Sequence, residues 1–175
     1  MKKLVIGGAA GILAAYLLFL IIAQIVPYIS WMVQREEEVR ITFDSLESLQ
    51  ASNEVPEEML TWVQLPEDVP AGVALGDIEY RNDGLTSPDI FFRYVQGEWN
   101  YMTYAIGGNK ELVNYRALKK IAFEGREGDL FVGRDNSVAI KWSDPGGIPY
   151  RYLYVNDQSL SEAEIAAIAA SVPAR

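Results

Sequence analysis

The run from Leu4 to Val26 holds no charged side chain, and Gln24 is its only strongly polar group. A helix of that length rises ~35 Å, enough to cross a hydrocarbon core about 30 Å thick. Lys2 and Lys3 precede the run and Pro27 follows it. Tyr28 and Trp31 fall where aromatic rings favour the headgroup layer. A cleaved signal peptide is the competing reading. It needs an apolar stretch of roughly 7–15 residues and a small-x-small cleavage site. This run is longer, and Gln24 to Ser30 offers no such site. The sequence therefore predicts an uncleaved signal anchor over residues 1–27. Lys2 and Lys3 flank one side; Arg35 and Arg40 on the other are interleaved with Glu36, Glu37 and Glu38. The positive-inside rule counts Lys and Arg and largely ignores acids. It favours a single-pass protein of the cell membrane, N-terminus cytoplasmic and C-terminal domain extracytoplasmic. Gly7, Gly11 and Ala15 are spaced four apart, so one helix face carries three small residues that let a second helix approach closely.

About 140 of the 175 residues follow the anchor, enough for one domain with a real core. The formal charge is −9, and the part beyond the anchor is more acidic still, because Lys2 and Lys3 are the only charges before Arg35. Such a domain is a poor nucleic-acid binder, since phosphate neutralisation needs Lys and Arg. Anionic lipid heads would also repel it. The chain has no Cys, which excludes disulfides, thiolate chemistry and Cys-ligated zinc. It has no His, which removes the commonest general base and transition-metal ligand and makes a Ser-His-Asp triad impossible. Gly107-Gly108 and Gly146-Gly147 sit in turn contexts and fit neither G-x-G-x-x-G nor a P-loop. Asp129, Asp135 and Asp144 are carboxylates by type, but each lies beside Gly, Asn or Pro and reads better as a turn residue. Asp83 and Asp89 offer oxygen to Ca²⁺ without the EF-hand loop pattern. No cofactor, metal or enzymatic activity is expected.

Residues 28–42 read as a juxtamembrane segment, with Glu36-Glu37-Glu38 a solvated face. The domain spans 43–175. Asp44 and Glu47 have capping-box spacing and open a short helix, and Pro56 opens a second helical turn carrying Met59, Leu60 and Trp62. Leu65 to Gly72, with two prolines, is a rigid connector. Strands follow at Val73–Tyr80, Ile90–Val95, Trp99–Ile106, Leu118–Glu124, Leu130–Val132, Val138–Trp142 and Tyr150–Val155; Glu111–Arg116 is ambiguous. Ser161 and Glu164 form a capping box before an apolar stripe of Ile165, Ile168, Ala169 and Val172, and Pro173 ends that helix. Successive strands with tight turns predict an α+β domain: an antiparallel meander with short helices at its start and a C-terminal helix packed on one face.

Three stretches carry a resemblance: "LPEDVPAGVALGDIEY" (Leu65–Tyr80), "IKWSDPGGIPYRYLYV" (Ile140–Val155) and "LSEAEIAAIAASV" (Leu160–Val172). Over roughly residues 43–174 the chain resembles a family of uncharacterised extracytoplasmic domains at the C-termini of bacterial membrane-anchored proteins. That resemblance implies a fold similar to part of the periplasmic lipoprotein-carrier architecture, a curved antiparallel sheet with helices in its concave side. It implies no catalytic residues. Known carriers of that architecture are free periplasmic proteins or lipid-anchored, whereas this chain carries an expected spanning helix.

Phe91, Phe92, Tyr94, Trp99, Tyr101 and Tyr104 cluster in a short stretch and fall on both faces of the sheet. One face becomes core under the closing helix. The other is covered by the helix near 44–51, by a lipid chain or by another protein. Phe92, Tyr94, Trp99, Tyr101 and Tyr104 are thus candidates for an aromatic binding face, with core as the plainer alternative. The expected function is non-enzymatic: an extracytoplasmic domain that binds a protein partner, as an accessory subunit or envelope sensor. The alternative is a lipid- or small-apolar-ligand-binding domain with an enclosed apolar cavity.

Overall fold

Alternation of apolar and polar side chains from Ile78 onwards gives strands that bury one face and leave the other wet. A computed structural model describes residues 38–174 except Leu85, Gly146 and Ile148, together with Leu20. Apart from Leu20, the expected anchor over 1–27, its small-residue face at Gly7, Gly11 and Ala15, and residues 28–37 lie outside the described residues. Among the described residues no helix is long and apolar enough to cross a membrane.

One compact unit covers Glu38–Arg175. Its elements are β1 (Val39–Phe43), α1 (Leu46–Gln50), α2 (Glu57–Trp62), β2 (Ala74–Asn82), β3 (Asp89–Gln96), β4 (Trp99–Gly107), β5 (Tyr115–Phe123), β6 (Arg126–Gly133), β7 (Val138–Ser143), β8 (Tyr150–Val155) and α3 (Glu162–Ala170). The eight strands form one sheet in the order β1-β2-β3-β4-β8-β7-β6-β5, every neighbouring pair antiparallel.

This order corrects the expected simple meander. There are two four-stranded meanders, and β4 pairs with β8 rather than with β5. The reason lies in the crossover after Gly107. Tyr152 donates from its hydroxyl to the Gly108 carbonyl (2.6 Å) and accepts from the Lys110 N–H (2.8 Å). Lys141 Nζ donates to Asn109 Oδ1 and the Lys110 carbonyl. The chain is thereby pinned across the ends of β7 and β8 and delivered to the far edge. The expected juxtamembrane segment, 28–42, overlaps the first strand. Residues 39–42 belong to β1, where Arg40 pairs with Arg81 and Ile41 with Tyr80.

The core lies on one sheet face. Ile78, Phe92, Tyr104, Leu153, Ile140 and Leu130 form a continuous cross-strand row. Leu49 of α1, Met59 of α2 and Ile165, Ile168 and Ala169 of α3 join the same buried cluster. All three helices therefore cover this face, including the one near 44–51 that was a candidate cover for the other. Burying a side chain the size of Phe92 or Leu153 contributes about 1.5–3 kcal/mol, so the row outweighs any single surface pair.

Helix ends are set locally. Ser161 accepts from the Glu164 N–H and Glu164 accepts from the Ser161 N–H, the expected capping box. In α1 the cap is Ser45, with Ser48 as its reciprocal partner, one residue later than the Asp44 and Glu47 expectation. The last turn of α3 carries no basic residue. Arg126, from the start of β6, donates instead to the carbonyls of Ala170 (2.6 Å) and Val172 (2.8 Å). The β5–β6 turn places Glu124 at φ 46° and Gly125 at φ 76°, the left-handed pair that a two-residue hairpin loop needs.

Candidate functional site

Among the described residues no helix covers the second sheet face. Along β2 the residues Asp77, Glu79 and Arg81 alternate with core residues, so all three project to this face. Glu79 is nearly buried and sits among three arginines. Arg81 grips it with Nε at 2.6 Å and a second nitrogen at 3.1 Å, and Arg40 Nε lies 3.1 Å away. Arg93 of β3 bonds Asp77 at 2.9 Å and lies 3.7 Å from Glu79. Arg81 also stacks over the Phe91 ring, 4.8 Å from its centroid. The hydrogen bond from Arg81 holds the Glu79 carboxyl below its usual range against burial, which pushes it up, and the charges of Arg81, Arg40 and Arg93 add to the lowering.

Beside this cluster stands an aromatic wall. Tyr152 and Tyr154 of β8 stack nearly parallel, centroids 6.1 Å apart, as their two-residue spacing dictates. Tyr115 packs against Gly133, where a Cβ would come within 3.2 Å of its ring. Its ring centroid lies 6.0 Å from that of Tyr154, and its hydroxyl is hydrogen-bonded to Ser137 Oγ, whose own proton goes to Asp135. Asp77, Glu79, Arg81 and Arg93, with Phe91, Tyr115, Tyr154, Asn100, Thr103 and Asn156, line a pocket of about 260 Å³.

A second concavity, about 350 Å³, lies on the rim between α2 and the β3–β4 ends. Pro56, Met59, Trp62, Pro88 and Tyr150 make it the more apolar of the two. Its walls are fixed from behind. Gly107 and Gly108 pack so closely on Asp89 and Ser87 that neither tolerates a Cβ. Lys110 pairs with Asp89 on the reverse side. Trp62 and Gln64 are reached by the buried guanidinium of Arg151, which is paired with Asp144.

The aromatic residues singled out from sequence divide unevenly. Phe92, Tyr94, Tyr101 and Tyr104 are core, packed under the helices, so they do not form an open binding face. Their strand positions point them to the covered side, where burial is worth most. Trp99 alone is open, 83 % exposed at the β3–β4 turn. The carboxylates are each engaged. Asp129 pairs with Lys120, Asp135 accepts from Ser137, Asp144 holds Arg151, Asp83 accepts from Thr86 and Asp89 holds Lys110. Among the described residues no three acids group as a metal site. Sequence reading passed over Asp77, Glu79, Arg81 and Arg93, although the Asp-x-Glu-x-Arg alternation already placed three of them on one face.

No protein-family model, curated protein or solved structure matches this chain.

The Glu79 cluster has a testable consequence. A carboxyl whose folded pKa is lowered stabilises the fold above its ordinary pKa, and that stability is lost as pH falls through the folded value. Urea midpoints should drop between about pH 5 and pH 3, and Glu79→Gln should flatten that acid limb. Superimposable pH profiles for the two proteins would show that the cluster adds nothing to stability.

Proposed function

We propose that the chain is a non-enzymatic, single-pass membrane protein whose extracytoplasmic domain binds another protein, as an accessory subunit or envelope sensor. The observation that carries this reading is the preformed apolar cleft beside α2. Partner proteins anchor through apolar or aromatic side chains that fill such clefts, and rigid walls reduce the ordering cost of doing so. The walls here are held by close glycine packing, by the Lys110–Asp89 pair and by Arg151 at the Trp62 carbonyl. The acidic, Cys-free and His-free composition supports a protein ligand over nucleic acid. The uncharged run at Leu4–Val26, with Gly7, Gly11 and Ala15 on one side, supports an anchor that also pairs with a partner helix.

A photo-reactive residue placed at Glu58, on the cleft's mouth, tests this in the full-length protein within its own membrane. The expected result is one stoichiometric protein adduct from Glu58 and none from the same group at Glu127, on the β5–β6 hairpin. Equal labelling from both positions, or none from Glu58, would overturn the reading. A lipid adduct at Glu58 in place of a protein would favour the alternative, an apolar-ligand-binding domain.

A further inference from the structure

We propose that the pocket on the open sheet face is a binding site for one neutral sugar residue. It is separate from the apolar cleft and stands on different observations. At about 260 Å³, the pocket falls just below the roughly 300–1,000 Å³ typical of drug-sized ligands. It has room for a single ring rather than for a peptide segment or a fatty chain.

Charge decides the class of ligand. The arginines Arg40, Arg81 and Arg93 meet three carboxylates, Glu38, Glu79 and Asp77, in a closed set of ion pairs. An anion would have to displace a carboxylate from its arginine, and a cation would have to displace an arginine. Either exchange costs about what it returns. A neutral polyhydroxyl ligand needs no exchange. Each guanidinium has five N–H donors and each carboxylate about four acceptor sites, more than the ion pairs use. Sugar hydroxyls accept from the first and donate to the second while the pairs stay whole. The hydrogen bonds so formed are charge-assisted, hence shorter and stronger than neutral ones.

The second requirement is a flat apolar surface beside the polar groups, because a pyranose presents one C–H face along with its hydroxyls. Tyr154 provides it. Its ring is held from one side by the stacked Tyr152 and from another by Tyr115, and it remains part-exposed toward the pocket. Ring C–H groups against an aromatic face give a modest, directional contact. The rim adds amides. Asn156, part of the lining, donates from its Nδ2 to the Asn100 carbonyl, and its side-chain oxygen is the amide's acceptor for a ligand hydroxyl. An apolar ligand would find the Glu79 cluster in its path and leave those ions without water.

The test is saturation-transfer NMR on the full-length protein in a detergent without a sugar headgroup. The probes are glucose, N-acetylglucosamine and glucuronate. Transfer is expected to both neutral sugars, strongest at the protons of one ring face. Tyr154→Ala should weaken it roughly tenfold, about one aromatic contact. Asn156→Ala, at the exposed rim and outside the core, removes the amide and should weaken it as well while leaving the fold intact. Glu127→Ala should change nothing. Absence of transfer to either neutral sugar would overturn the proposal. So would transfer to glucuronate alone, or transfer that survives both substitutions.

Discussion

Replacing Arg151 by Met is expected to lower the free energy of unfolding by about 3–5 kcal/mol. Arg151 is fully buried, on the core face of β8 among Ile106, Trp142 and Tyr104. Its Nε contacts both Asp144 oxygens at 3.1 Å, and a terminal nitrogen reaches Asp144 at 2.6 Å. The same nitrogen donates to Gln64 at 3.0 Å, and the other donates to the Tyr104 hydroxyl and toward the Trp62 carbonyl. Burial pushes Tyr104 up to about 12, against the pull of Arg151, so the phenol stays neutral. Methionine fills similar space without a charge. Asp144, itself buried, would then hold a carboxylate with no cation, and it must take up a proton or open the β7–β8 turn. The loss is read from urea denaturation followed by circular dichroism at pH 7; a loss under about 1 kcal/mol would remove Arg151 as the pin of this region. Arg151→Met combined with Asp144→Leu should recover much of the loss, because an apolar pair in place of a buried ion pair is often neutral or stabilising. The single substitution should also loosen Gln64 and Trp62, and with Trp62 one wall of the apolar cleft. Cross-linking from Glu58 is thus expected to fall in Arg151→Met and to return in the double variant.

Local signals were legible in the sequence and distant ones were not. Tyr150 to Val155 is a strand with the limits its two-residue alternation implied, and Ser161 with Glu164 caps α3 as their spacing implied. Both depend on neighbours within a few residues. β1 escaped notice because only Val39, Ile41 and Phe43 mark its apolar side, and its partner β2 lies far along the chain. The β4–β8 pairing is hidden for the same reason. Gly107-Gly108-Asn109 has the composition of a tight turn, and only the contacts of Tyr152 and Lys141 turn it into a crossover. Asp144 read as a turn residue, which it is, but its bond to Arg151 needs the hairpin to be closed first. In the open-face pocket the strand period placed Asp77, Glu79 and Arg81 together, whereas Tyr115 arrives from the opposite edge of the sheet.

Phe92→Ala is expected to cost about 3–5 kcal/mol while leaving both proposed sites intact. The residue separates the two roles open to the aromatic cluster. Phe92 has no exposed surface and begins a chain of rings: 5.9 Å to Tyr104, 6.2 Å from Tyr104 to Trp142, and 5.7 Å from Trp142 edge-on to Phe123. Cavity cost depends on how far the surroundings collapse. Collapse is hindered here. Tyr104 is held by its hydroxyl on Arg151, and Phe123 lies against Gly128, where a Cβ would come within 3.1 Å of its ring. The hole therefore stays largely open, and the cost falls toward the upper end of that range. On the other face Tyr154 and the Glu79 cluster keep their positions, since the backbone of β3 remains paired on both sides. Sugar saturation transfer and Glu58 cross-linking, measured where the variant is still folded, should match the unaltered protein. A stability loss below about 1 kcal/mol would mean the ring is not part of a tight core. Loss of binding with stability unchanged would return Phe92 and its neighbours Tyr94, Tyr101 and Tyr104 to the role of a ligand surface.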